Sequence, residues 1–365
     1  MLGDQTLQEL HRENPIVFLA SAIDGCALWR LFFPYQNFPG SSFFCFRNHI
    51  DFSKIIGNEI VVVQRLCTQK QFETLHVLVK TGMKVIYDAD DDLWELPPYN
   101  PVAEILKKYR EGAELCMRMC DVITVSTRYL KRVFEHRVKV PVNVNTGRQI
   151  PIVVAENRIW GRGFVQPEKP ERLTIGWAGS SSHIGDIELV FPALEAIGRE
   201  HPEVAIEMRG CALPPNCSLE ALPNFHHMPW TPVPEYGARM PVWRWSIALA
   251  PITDHSFNFS KSAAKAIEAG YCGIPCLMSW LRPYEEFVHH DKELEWLLCA
   301  SPSSWERKLR ELVNDDVRRE ELGRRMRKVV DDHYSWNRPH EGWLEAFRLA
   351  RGGTVGKVLD ARAFA

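Results

Sequence analysis

The run from Ile247 to Ser279, IALAPITDHSFNFSKSAAKAIEAGYCGIPCLMS, constrains this chain more than any other stretch. Ile247 to Pro251 reads as a buried strand, a polar loop follows, a helix covers Ser260 to Tyr271, and Pro275 opens a second strand. Ala263, Ala264, Ile267 and Tyr271 recur at helical spacing, so one helix face turns inward, and Ser260 is the expected N-cap. In an open α/β sheet the end of such a strand is where ligands bind. Lys261, Lys265 and Glu268 follow one another at about one helical turn. Two ammoniums beside a helix start suit a diphosphate, and a carboxylate further along suits a pair of ribose hydroxyls. A solvated amphipathic helix would explain the same charges.

The same alternation runs through the chain. Strands are expected at Ile16–Ala20, Phe43–Phe46, Glu59–Gln64, Lys84–Asp88, Asp121–Ser126, Val142–Val144 and Ile152–Val154, with helices at Gln71–Lys80, Val102–Met119 and Thr127–Glu135. Gly and Pro then punctuate a charged linker, and the pattern restarts. Strands are expected at Leu173–Ala178, Val204–Met208 and Phe225–Met228, with helices at Asp186–Glu200, Pro234–Met240, Trp305–Val313, Arg318–His333 and His340–Ala350. The expected fold class is therefore α/β with two Rossmann-like domains facing a central cleft. The boundaries are 1–160, a linker 161–172, a second domain 173–340, and a C-terminal helix and tail 341–365.

With 365 residues, 45% of them hydrophobic, the chain can fill two cores. Its 44 basic and 46 acidic residues give a net charge of −2, which argues against a generic nucleic-acid coat but permits a local basic patch. No signal peptide or membrane span is expected. Ten scattered cysteines without a Cys-x-x-Cys pair suggest reduced thiols, hence a cytoplasmic location.

Several clusters carry chemistry. Asp24 and Gly25 close the turn after the first strand. Asp88, Asp90, Asp91 and Asp92 gather at the end of the fourth, a cluster able to supply a base. Clustered oxygens also suit Mg²⁺ or Mn²⁺, and helix capping suits them equally well. Arg128 heads a basic run, Arg128 to Arg148, which would face phosphates of DNA or an anionic lipid carrier, or simply water. In the second half, Gly179, Ser180, Ser181 and His183 form a small-residue loop after a strand, and Arg209 ends the next one.

The second half resembles the donor-binding domain of GT-B glycosyltransferases, in particular the large retaining group of bacterial envelope and phage sugar transferases. The matching pieces are Ile175 to Ser180, Ile206 to Gly210, Ala248 to Pro251, Lys265 to Gly270, Gly273 to Pro275, and Tyr334-Ser335-Trp336 before a last helix. In the first half, element order and Asp121 to Thr127 match. The family's pair of glutamates eight positions apart is incomplete: Glu268 fills the second place and Ser260 the first. The family's Arg and Lys in the first loop are replaced by Ser180, Ser181, Ser182 and His183. Asn258, Lys261, Lys265 and Glu268 resemble the Asn-x-x-Lys-x-x-x-Lys-x-x-Glu arrangement of some phage and envelope relatives.

The resemblance implies transfer of a sugar, with retention of configuration as part of that family pattern, from a nucleotide diphosphate sugar, UDP foremost. Lys261 and Lys265 would be catalytic cations, and Asp90 or Asp91 a base toward the acceptor hydroxyl or a stabiliser of the cationic sugar ring. Gly179, Ser180, Ser181, His183, Arg209, Asn258 and Glu268 would complete the donor side, and Asp24, Gly25, Asp88, Asp92 and Arg128 the acceptor side. No metal ligand and no resident cofactor are expected, a divalent ion being possible and not favoured. The acceptor stays open between a glycan, a lipid-linked saccharide and a hydroxymethylated DNA base, as does the oligomeric state. A nucleotide-sugar epimerase or a non-catalytic binding protein shares the same architecture. The last helix is expected to return to the first domain.

Overall fold

A computed structural model describes residues 15–46, 51–138, 141–159, 171–210, 212–214, 216–232, 235, 244–338 and 340–352. It divides into two compact units. Unit 1 comprises Met1–Trp94, Ile105–Asn157 and Pro339–Ala365; unit 2 comprises Glu95–Glu104 and Arg158–Arg338.

Unit 1 is built on β1 (Ile16–Ala20), β2 (Ser42–Cys45), β3 (Ile60–Gln64), β4 (Lys84–Ala89), β5 (Val122–Val125) and β6 (Ile152–Val154). Every pairing in the order β2-β1-β3-β4-β5-β6 is parallel. Strands β1, β3 and β5 are mostly apolar and buried along their length, as strands covered on both faces must be, with Gln64 and Thr124 the polar residues among them. The last helix, Glu341–Ala350, belongs to this unit. Its Trp343 meets Phe18 edge to face at 6.0 Å, and Phe347 meets Phe38 at 5.0 Å. A Cβ at Gly342 would lie 2.2 Å from the Val154 carbonyl oxygen, so only glycine lets this helix approach β6.

Unit 2 is built on β7 (Thr174–Gly179), β8 (Ala205–Gly210), β9 (Phe225–Met228), β10 (Ile247–Ala250), β11 (Cys276–Ser279) and β12 (Leu298–Cys299). Its order is β12-β11-β10-β7-β8-β9, again parallel throughout. The two units are thus Rossmann-like α/β sheets, as the alternation of elements requires. No helix among the described residues is long and apolar enough to cross a membrane, and the described cysteines are free thiols.

Three expectations change. The single helix read from Ser260 to Tyr271 is two helices, Ser256–Ser260 and Ala264–Tyr271. Ser260 is therefore no N-cap: it is the buried last residue of the first helix, which His255 caps instead. The helix expected at Asp186–Glu200 breaks into Ile184–Ile187, a 3₁₀ turn and Phe191–Glu200, with Pro192, which has no amide hydrogen, in the first turn of the last piece. Val142–Val144 forms one antiparallel bridge, Val142 to Gln149, rather than a strand. The linker 161–172 lies outside the described residues except for Glu171 and Arg172. The helix expected at Pro234–Met240 does so except for Glu235, and the tail beyond Gly352 does so entirely.

Candidate active site

The acid run of unit 1 separates by depth. Asp88 lies in β4, paired in register with Thr124 of β5, and is fully buried. Its two oxygens take Arg30 Nε at 3.1 Å and Nη2 at 2.7 Å, and Oδ2 also accepts from the Thr124 hydroxyl at 2.7 Å. Arg30, equally buried, spends Nη1 on the Ala155 carbonyl and on Asn157 Oδ1 at 2.8 Å. Burial still pushes the Asp88 carboxyl above its ordinary range, against the pull of Arg30 and Thr124. Asp88 is thus a core ion pair and not a group that meets an acceptor. Asp92, also buried, accepts from the Trp94 amide at 2.8 Å, which corrects its acceptor-side placement in the same way.

The remaining acids meet Arg65 at the end of β3. Arg65 adopts a left-handed backbone, φ 47°, an unusual conformation for a side chain with a Cβ. Its guanidinium stands 3.0 Å from Asp24 Oδ2, 3.7 Å from Asp90 Oδ1 and 3.8 Å from Asp91 Oδ2. Asp24 also caps the short helix that begins at exposed Gly25. Cys26 Sγ, Asp90 and Asp91 bring their donor atoms within 4.8 Å of one another, a spacing compatible with a cation. That donor set suits a metal ion poorly: Arg65 is already the counter-ion, and burial pushes the Cys26 thiol up, keeping it protonated, against the pull of Arg65. Arg128 is exposed at the start of the helix Arg128–Arg137, which Thr127 caps.

In unit 2 the strand ends assemble around Asp186, which is buried. Its Oδ1 accepts from the Tyr99 hydroxyl at 2.8 Å, the Thr253 amide at 2.8 Å, the Thr253 hydroxyl at 3.0 Å and Asn258 Nδ2 at 3.2 Å. Its Oδ2 stands 2.9 Å from His183 Nδ1. One carboxylate therefore ties together the loop after β7, the loop after β10, the helix Ser256–Ser260 and the segment Glu95–Glu104. A Cβ on Gly185 would strike the Tyr99 ring at 2.7 Å, so glycine there makes room for the phenol. Burial alone would raise the Asp186 carboxyl, but the bond to His183, the Lys261 charge and the Thr253 amide hold it well below the usual carboxylate range. Burial and the Lys261 charge push His183 down to about 3, against the pull of Asp186, so its ring is neutral near pH 7.

Both candidate lysines stand beside this hub. Lys261, in extended conformation between the two helices, places Nζ 3.4 Å from His183 Nδ1 and 4.9 Å from the centre of the Phe257 ring. Lys265, in the first turn of the helix Ala264–Tyr271, donates from Nζ to the carbonyl of Ala178 at the end of β7 and lies 5.3 Å from the centre of the Trp177 ring. Burial lowers its affinity for a proton, and Glu268, one turn along, opposes that. Ala263 gives this helix no side-chain cap, and amides at a helix start lack partners within the helix and suit an anion.

The other sequence candidates sort around this centre. Asn258 is fully buried and acts through Asp186 and Thr253, out of reach of a ligand. Ser180 bonds the Ser182 hydroxyl at 2.7 Å, Ser181 is exposed, and Gly179 sits opposite Gly210 at the paired ends of β7 and β8. Arg209 is ion-paired with Glu207. Asp186, Tyr99 and Thr253 escaped the sequence reading. The one local hint was Asp186 three residues after His183, in a loop following a strand.

No protein-family model matches this sequence, and no curated protein does. Solved structures match well. The sucrose-phosphate synthase of Thermosynechococcus elongatus covers 93% of this chain and 98% of its own, with a TM-score of 0.63 at 12% identity. HepE of Anabaena, in complex with UDP-glucose, covers 92% and 98% with a TM-score of 0.60 at 12% identity. The fold is GT-B. A UDP-forming α,α-trehalose-phosphate synthase of Burkholderia xenovorans also aligns, over 84% of this chain and 76% of its own, with a TM-score of 0.54 at 12% identity. At such identities the likeness is one of fold. Ser260 is buried, and the cations at the strand ends of unit 2 are Lys261 and Lys265.

Proposed function

We propose that this chain transfers a sugar from a nucleotide diphosphate sugar, with UDP as the first nucleotide to test, to an acceptor hydroxyl. The observation that carries the reading is the pair Lys261 and Lys265. They stand beside a helix start without a side-chain cap, at strand ends where Asp186, the carboxylate beside Lys261, is saturated by other donors. In the reaction the bond from the anomeric carbon to the diphosphate oxygen breaks, and the acceptor oxygen bonds that carbon and gives up its proton. Negative charge grows on the departing phosphate, so cations held beside it are worth more in the transition state than before it. Glu268 is assigned to the ribose hydroxyls. Asp90 or Asp91 is assigned to the acceptor proton or to the positive charge on the ring.

Retention of configuration is part of this reading through the family resemblance, and no metal is assigned a role. The likeness to HepE in complex with UDP-glucose and to the UDP-forming synthase favours UDP. A cytoplasmic setting accords with buried free thiols such as Cys116, Cys120 and Cys276. Incubating the protein with a panel of sugar nucleotides and acceptors, and analysing the products, tests the reading. A transferred sugar supports it; an epimerised donor, free sugar alone or no binding sinks it. A DNA acceptor is favoured by one feature, the exposed Arg128 and Arg132 on the helix Arg128–Arg137. DNA binding that does not weaken with salt, or no binding, removes that version.

A further inference from the structure

The lysines account for the phosphates of such a donor and leave His183 without a task. Its geometry is restrictive. Nδ1 stands 2.9 Å from Asp186 Oδ2 and 3.4 Å from Lys261 Nζ; the shorter contact is to a carboxylate, which only accepts, and that places the ring proton on Nδ1. Asp186 cannot turn away, because Tyr99, Thr253 and Asn258 hold its other oxygen. The charged groups facing the ring are Asp186, Lys261 and Lys265, and the two ammoniums oppose a second proton. Among the described residues no protein group hydrogen bonds Nε2, and the side chain keeps 20% of its surface exposed. An uncharged imidazole therefore offers its remaining lone pair outward, next to the cations.

That lone pair cannot bond a phosphate oxygen, since both only accept; its partner must be a donor, and the donors a hexose carries are its hydroxyls. Resting on the donor site proposed above, we propose that His183 accepts a hydrogen bond from a hydroxyl of the transferred sugar and so helps select it, with Asp186 as the positioning residue that sets its tautomer. The ribose is the other source of hydroxyls on the same ligand, and a nucleoside diphosphate without the sugar separates the two. The competing role is a protonated His183 that donates to the diphosphate, which would require the ring to gain a proton when the ligand binds.

Calorimetry on the full chain at pH 7 decides between them, using UDP, ADP, GDP and their glucose conjugates in two buffers of different ionisation enthalpy. For the nucleotide that binds, the glucose conjugate is expected to bind tighter than the diphosphate, with no proton uptake. His183→Ala should weaken the conjugate about fivefold, the worth of one uncharged hydrogen bond, and the diphosphate less than twofold. His183→Gln, whose amide oxygen also accepts, should recover most of the loss, and Asp186→Asn should weaken the conjugate more than the diphosphate. A thermal melt shows which variants are folded. Uptake of about one proton per site, an equal loss for both ligands in His183→Ala, or a wild-type protein that gains nothing from the sugar overturns the assignment. A wild-type protein that binds none of the diphosphates removes the donor site itself, a distinct failure.

Discussion

The strand-end clusters of the two units are built as opposites. In unit 1 one guanidinium, Arg65, sits among Asp24, Asp90 and Asp91; in unit 2 one carboxylate, Asp186, sits among four neutral donor groups and a neutral imidazole, with two ammoniums beside it. The first arrangement leaves negative charge over, the second positive. The same place in a parallel sheet thus acquires either sign, according to which charge the protein neutralises internally. Depth repeats the lesson within one run of residues. Asp88 is spent on Arg30 in the core, while Asp90, two residues later, stands 3.7 Å from Arg65.

Four measurements would break or sharpen this contrast. The largest effect is expected from Arg30→Leu, which leaves Asp88 buried without its partner. Urea unfolding should show a loss of about 3–5 kcal/mol, and a loss below about 1 kcal/mol would mean the pair is not structural. Next, Lys265→Ala should lower kcat/KM about 100-fold, the scale for removing one preorganised donor to developing charge; an unchanged rate would take the cationic cluster out of the chemistry.

The third concerns pH. Unfolded His183 takes a proton near its ordinary value of about 6.5, whereas the folded ring resists until about 3. Across that window the unfolded chain binds more protons, so stability falls as pH is lowered from about 6.5. The depressed Asp186 adds to the fall only below the ordinary carboxylate range. His183→Gln should flatten the slope between pH 6.5 and 4 by at most about 1.4 kcal/mol per pH unit. An unchanged slope in urea melts would mean the folded ring titrates normally. The smallest effect is expected from EDTA: with Arg65 already among the acids, the transfer rate should stay within about twofold, and abolition of activity that Mn²⁺ restores would place a metal there.

Much of the architecture was legible because strands and helices announce themselves locally. Mostly apolar runs such as Ile60–Gln64, apolar up to Val63, and Val122–Val125, interrupted only by Thr124, are spaced by helical segments and fit covered parallel strands. The grouping of Lys261, Lys265 and Glu268 was legible for the same reason, although the helix break at Lys261 was not. A serine followed by a helical pattern satisfies the rule for a cap, and the turn beginning at Ser256 had already used that stretch.

By itself, then, the sequence determined the order of the elements, two parallel sheets and the presence of cations after β10, all of which depend on residues close together in the chain. Only the tertiary structure decided that Asp186 joins Tyr99, 87 positions away, to Thr253, 67 positions away, and that Asp88 meets Arg30 across 58. Those pairings turn on burial and register. A charge repays its desolvation only when distant partners arrive around it, and no local spacing records who those partners are.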